Sequence, residues 1–139
     1  MKIIDAKDQI VGRLATNVAK LLLKGEEVVI VNSERALVTG PKPRVIASYK
    51  QLEQRGIPRK GPFFPKRPEA ILKRTIRGML PYKQEKGRSA FKRLKCYISV
   101  PSEFEGKEFH KVTGSDISGS TTEKYIDLYT ISKHLGAKI

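Results

Sequence analysis

One cysteine, Cys96, and two histidines, His110 and His134, are all this chain offers in the way of soft or metal-binding side chains, and it has no tryptophan. A single cysteine excludes an internal disulfide and a multi-cysteine zinc site. It fits a reducing compartment such as the cytoplasm. The two histidines lie 24 residues apart with no partner at metal-ligand spacing, so packing or surface roles are expected of both. Cys96 sits in an apolar strand pattern without a neighbouring base, which points to an inert thiol. No G-x-S-x-G, H-E-x-x-H or paired-carboxylate motif occurs. No run approaches the ~18 uncharged apolar residues of a membrane span. The start, Met1-Lys2-Ile3-Ile4-Asp5, carries an acid where a signal peptide needs apolar residues, so an intracellular protein is expected.

Acids are scarce in one place above all. The 139 residues hold 28 Lys and Arg against 14 Asp and Glu, a formal net charge of +14. Between Lys42 and Lys95 stand 17 basic residues and only three acids, Glu53, Glu69 and Glu85. The remainder carries 11 of each sign and is neutral. Charge so segregated repels itself and is relieved by a polyanion that releases condensed counterions. A merely solubilising surface mixes both signs. Nucleic acid is therefore the favoured partner, ahead of simple solubility and well ahead of an anionic membrane surface.

Along the chain, Ile3-Ile4-Asp5-Ala6 reads as a strand, and Asp8 is placed to cap the helix after it. Residues 12–24 show helical spacing, with Leu14, Val18, Leu21 and Leu22 on one side and Gly25 as the stop. The β-branched run Val28-Val29-Ile30-Val31 suits a strand buried on both faces. A third strand is expected at 36–38 and a helix from Lys42 or Pro43 to near Gln54. Residues 56–67 have three prolines, two glycines and neither period, which predicts a loop. Its Phe63 and Phe64 must bury against the domain or a ligand. From Pro68 to Leu80 an amphipathic helix is predicted, with Ile71, Leu72, Ile76 and Leu80 inward and Lys73, Arg74 and Arg77 outward. A basic loop at 82–88, a short helix at 89–94, a strand at 96–100, a largely looped 104–122 and a short helix at 129–135 complete the reading. Alternating helices and parallel-type strands argue a three-layer α/β domain.

Two strand-to-helix turns, at Gly12-Arg13 and Thr39-Gly40-Pro41-Lys42, could hold a backbone phosphate at a helix start. Neither has dinucleotide or P-loop spacing, and a glycine serving a tight turn explains each equally well. The basic segment is the stronger feature. A helix face (Lys73, Arg74, Arg77) and flanking segments (Arg59, Lys60, Lys66, Arg67; Lys83, Lys86, Arg88; Lys92, Arg93, Lys95) would neutralise phosphates. No base-reading module is present, so recognition of folded RNA by shape and backbone is expected, with the 56–67 loop ordering on contact.

Several segments, in order and spacing, resemble the ribosomal protein L13 family: Ile3-Ile4-Asp5-Ala6, Val11-Gly12-Arg13-Leu14-Ala15-Thr16, Val29-Ile30-Val31-Asn32, Val38-Thr39-Gly40, Arg67-Pro68, Gly78-Met79-Leu80-Pro81, Gly87-Arg88 and Phe91-Lys92-Arg93-Leu94-Lys95-Cys96-Tyr97. The resemblance covers roughly residues 2–101. The Gly61-Pro62-Phe63-Phe64-Pro65 insert and Tyr125-Ile126-Asp127-Leu128 are similar to the archaeal and eukaryotic branch, and the lack of a long C-terminal extension favours an archaeal source. The resemblance implies an α/β/α fold on a four-stranded parallel sheet, order 3-2-1-4. It implies one domain over 1–139, with an α/β core at 1–101, its basic segment at 42–95, and a C-terminal extension at 102–139. It further implies a structural constituent of the large subunit that binds rRNA, touches neighbouring ribosomal proteins and aids assembly, with no catalysis, cofactor, metal or small-molecule substrate. The family's basic segment falls on Arg67, Lys73, Arg77, Arg88, Lys92, Arg93 and Lys95. An RNA-acting enzyme on a similar core and a DNA-compacting protein remain as alternatives, though no convergent catalytic set is visible for the first.

Overall fold

A computed structural model describes residues 1–119 and 123–138. Strand β1 (Lys2–Asp5) is followed by helix α1 (Val11–Leu23) and strand β2 (Val28–Val31). Helix α1 opens without a side-chain cap, and Asp8, in the left-handed region at φ 61°, does not supply one. Its far end is closed twice over. Gly25, at φ 97°, donates to Leu22 O at 3.1 Å while Glu26 N–H donates to Leu21 O at 3.3 Å. All four side chains of β2 are buried, as a central strand requires.

Strand β4 (Leu94–Cys96) runs parallel along the free edge of β2, with Val28 opposite Leu94 and Ile30 opposite Cys96. The sheet is thus three parallel strands in the order β1-β2-β4, where the sequence reading expected four in the order 3-2-1-4. Two local facts explain the difference. The outer edge of β1 is taken by the 108–112 segment, Asp5 N–H donating to His110 O at 3.0 Å and His110 N–H to Ile3 O at 2.8 Å. After β2 the chain turns through Asn32 at φ 56° and a 3-10 turn, Ser33–Arg35, which carries β3 (Leu37–Thr39) away from the sheet. There β3 pairs antiparallel with β5 (Tyr125–Asp127).

The helices cover one face only. Side chains of α1, α2 (Lys42–Gln54), α3 (Pro68–Arg77), α4 (Glu85–Lys92) and α5 (Leu128–His134) share one apolar cluster with Ile4, Val28 and Ile30. On the other face Ile3, Val29 and Val31 are covered by Phe104, with Tyr97, Val100 and Phe109 against it. An aromatic loop therefore stands where a third, helical layer was expected. The C-terminal segment belongs to the main core: Ile126, Leu128, Ile131 and Leu135 are buried with Leu14 and Leu72. Asp127 caps α5 by accepting from Thr130 N–H at 2.9 Å. The loop expected over 104–122 follows a 3-10 turn at Ser102–Phe104 and contains another at Ile117–Gly119, and its residues 120–122 lie outside the described residues.

Candidate nucleic-acid interface

Helix α3 anchors the site. Pro68 supplies a preset φ at its start, and Glu69 in the first turn with Arg74 and Arg77 in the last complement its dipole. Ile71, Leu72 and Ile76 are fully buried, each contributing about 1.5–3 kcal/mol. Lys73, Arg74 and Arg77 lie on the other side, partly buried along their stems. Aromatic rings, not carboxylates, hold two of these cations. The Lys73 ammonium sits 5.0 Å from the centre of the Phe91 ring, and the Arg77 guanidinium 4.6 Å from that of Tyr82. Their charge is thereby positioned without being neutralised.

The 56–67 loop has more structure than its composition predicts. Ile57 and Gly61 exchange backbone hydrogen bonds of 3.2 and 2.9 Å. Gly56 is required there: it takes φ 83°, and a Cβ would lie 2.1 Å from Gly61 O. Phe64 turns inward, its ring centre 6.0 Å from that of Tyr49. Phe63 turns outward and is 67% exposed. Lys66 pairs with Glu53 at 3.1 Å and Arg67 with Glu69 at 2.8 Å, and the Ser132 hydroxyl donates to the Lys66 carbonyl. Arg59 and Lys60 are exposed at the tip.

Beyond α3, the basic loop expected at 82–88 is non-helical only at 82–84, and 85–88 form the first turn of α4. Gly87 lies buried inside α4, where a Cβ would be 2.0 Å from Pro81 O. Glycine is thus what lets α4 abut the preceding turn. Lys83, Lys86, Arg88, Lys92 and Lys95 are exposed. Arg93 faces differently: its guanidinium donates to Leu22 O at 2.6 Å and closes the end of α1. The strand expected at 96–100 is shifted to Leu94–Cys96 and cannot run on past Ser99, which lies at φ 55° with its N–H donating to Glu34 Oε2 at 3.0 Å.

Of the thirteen basic residues read as the site, only Lys66 and Arg67 have a carboxylate partner among the described residues. One cationic feature escaped the sequence reading. Lys2, Lys20, Lys24 and Lys111 line a groove of about 410 Å³ floored by Ile4, Leu21 and Val112. Whole-segment counting hid it, because acids elsewhere in the neutral ends cancel these lysines; the i, i+4 spacing of Lys20 and Lys24 was its only trace.

Nothing resembling a reaction centre accompanies these charges. No metal-binding group of His, Cys, Asp or Glu occurs among the described residues. Both histidines are exposed. Burial pushes the Cys96 thiol up to about 12, with Lys73 opposing and Glu69 assisting, so it stays protonated and unreactive at neutral pH. Among the described residues no helix is long and apolar enough to cross a membrane.

Fold and surface together define a small α/β protein whose segment 59–95 carries many cations, most of them without a carboxylate partner among the described residues. Comparison with known proteins narrows this class. The family model described as "Ribosomal protein L13" matches residues 1–103. The large ribosomal subunit protein uL13 of Methanococcoides burtonii is 47% identical over 138 residues, 99% of each chain. That of Methanocaldococcus jannaschii is 49% identical over 144 residues, again 99% of each. That of Archaeoglobus fulgidus is 47% identical over 135 residues, 96% of this chain and 86% of the relative. The chain belongs to the ribosomal protein L13 family: it is a large-subunit ribosomal protein and not an enzyme, and these relatives are archaeal.

Proposed function

We propose that the chain binds and stabilises folded large-subunit rRNA through its cationic belt, and so contributes to subunit assembly. The belt comprises Arg59, Lys60, Lys66, Arg67, Lys73, Arg74, Arg77, Lys83, Lys86, Arg88, Lys92 and Lys95; Arg93, also read from the sequence, closes the end of α1 instead. Phosphates are neutralised by side chains already in place, with arginines adding bidentate contacts. The backbone and shape of the RNA, rather than base edges, are what such a surface meets. Neighbouring ribosomal proteins are the other partners.

The carrying observation is that ten of these twelve cations have no carboxylate partner among the described residues. Ion pairs would have satisfied them internally; without these, an external polyanion does so. The test is the salt dependence of binding to large-subunit rRNA. With about eight phosphates neutralised, the log–log slope is about −6 to −7. A slope shallower than about −2 contradicts the belt as the binding surface.

A further inference from the structure

The two phenylalanines of the 56–67 loop have parted company. Phe64 is seated against Tyr49, while Phe63 keeps 67% of its surface exposed. Phe63 forms one wall of a groove of about 330 Å³ whose other apolar surfaces come from Phe64, Pro65, Ala70 and Phe91. Its remaining walls are Lys73, Arg74 and Arg77. A bare aromatic ring beside an apolar floor is costly in water. A purely aliphatic partner would bury the ring but desolvate the three cations, and a basic partner would be repelled by them. What satisfies both is a planar, apolar-faced group carried on an anionic chain.

We infer that this groove receives one unstacked nucleobase of the bound RNA, its face against Phe63 and its flanking phosphates on Lys73 and Arg77. Unpaired bases in RNA loops and bulges are recognised by stacking on aromatic side chains in this way, without reading of the base edge. The groove is prepared for it. Lys73 and Arg77 are held by Phe91 and Tyr82, so neither must be reorganised to meet a phosphate. The Ile57–Gly61 backbone bonds brace the loop that presents the ring. The inference rests on the RNA-binding reading above and adds a base contact to it.

The experiment uses the full chain and transcribed large-subunit rRNA, with affinity and salt slope measured for the wild type and for Phe63→Ala, Phe63→Leu and Phe63→Trp. Stacking predicts a loss of about 5- to 150-fold for Phe63→Ala with an unchanged slope, a comparable loss for Phe63→Leu, and Phe63→Trp within about twofold of wild type. Because Phe63 is exposed, all three variants are expected to melt with the parent, which thermal denaturation checks. Phe63→Ala within twofold of wild type overturns the inference, as does full affinity in Phe63→Leu or a slope made shallower by a unit or more. A benzophenone side chain placed at position 63 and photolysed in intact subunits must give adducts on RNA; adducts on a protein overturn it. If the wild type itself binds rRNA with a shallow slope, it is the belt reading that fails.

Discussion

Replacing Lys73, Arg74 and Arg77 together by glutamine removes the outward charge of α3 and leaves its buried face, Ile71, Leu72 and Ile76, intact. Each phosphate contact contributes about 0.7–0.9 to the log–log salt slope, so three lost contacts make it shallower by about 2–3 units. At 0.1 M salt the same arithmetic weakens binding on the order of 10²-fold, and the two curves converge near 1 M. Losing the Lys73–Phe91 and Arg77–Tyr82 contacts costs about 0.5–1 kcal/mol each, a decrease of a few degrees in melting temperature. The assay is filter binding to large-subunit rRNA from about 0.1 to 0.6 M KCl, with circular dichroism to verify the fold. The matched control, Lys20→Gln with Lys24→Gln and Lys111→Gln, removes three charges from the groove outside the belt and should alter the slope by less than about one unit. A slope for the α3 variant within about half a unit of wild type, or a larger fall in the control, refutes the reasoning.

Gly87→Ala drives a Cβ to 2.0 Å from Pro81 O, and the overpacking should cost about 1–3 kcal/mol, seen as a lower midpoint in urea. Arg93→Ala frees the Leu22 carbonyl from its 2.6 Å bond and should destabilise by about 1–2 kcal/mol while altering the rRNA salt slope by less than about one unit. The Cys96 thiol, raised from 9.0 to about 12 on folding, is protonated in both states below about pH 9 and contributes no pH dependence there. Above that the unfolded chain releases the proton and the folded one does not, so stability falls with rising pH through this window; Tyr49, also raised by burial, acts in the same sense above 10.0. Urea midpoints measured from pH 7 to 11 check this: Cys96→Ala should flatten part of the alkaline decline, and an equal decline in that variant contradicts the assignment.

Where one helix or strand carries its own instruction, the chain was legible. The period of Ile71, Leu72 and Ile76 against Lys73, Arg74 and Arg77 placed α3 and its two faces, and the four β-branched residues of β2 announced a central strand. Partner choice between strands was not legible. That β4 joins β2 depends on the 108–112 segment occupying β1, a contact more than a hundred residues apart in sequence. The third strand, expected at 36–38, lies one residue further on at Leu37–Thr39, whereas the three residues of β5 are too few for a period to show. Gly87 allows the close approach of α4 to Pro81, a contact that no local sequence pattern announces. Of the thirteen basic residues read as the site, sequence could not separate Arg93, spent on the end of α1, from Lys92 and Lys95, which face solvent. Nor could it tell which phenylalanine of the loop faces outward.

Protein–RNA crosslinking in intact large subunits, mapped to peptides, tests the central claim most directly. The account predicts adducts concentrated between Lys42 and Lys95, on the 56–67 loop, the outer side of α3 and the start of α4. Adducts lying mainly within residues 1–41 and 102–138 would contradict it.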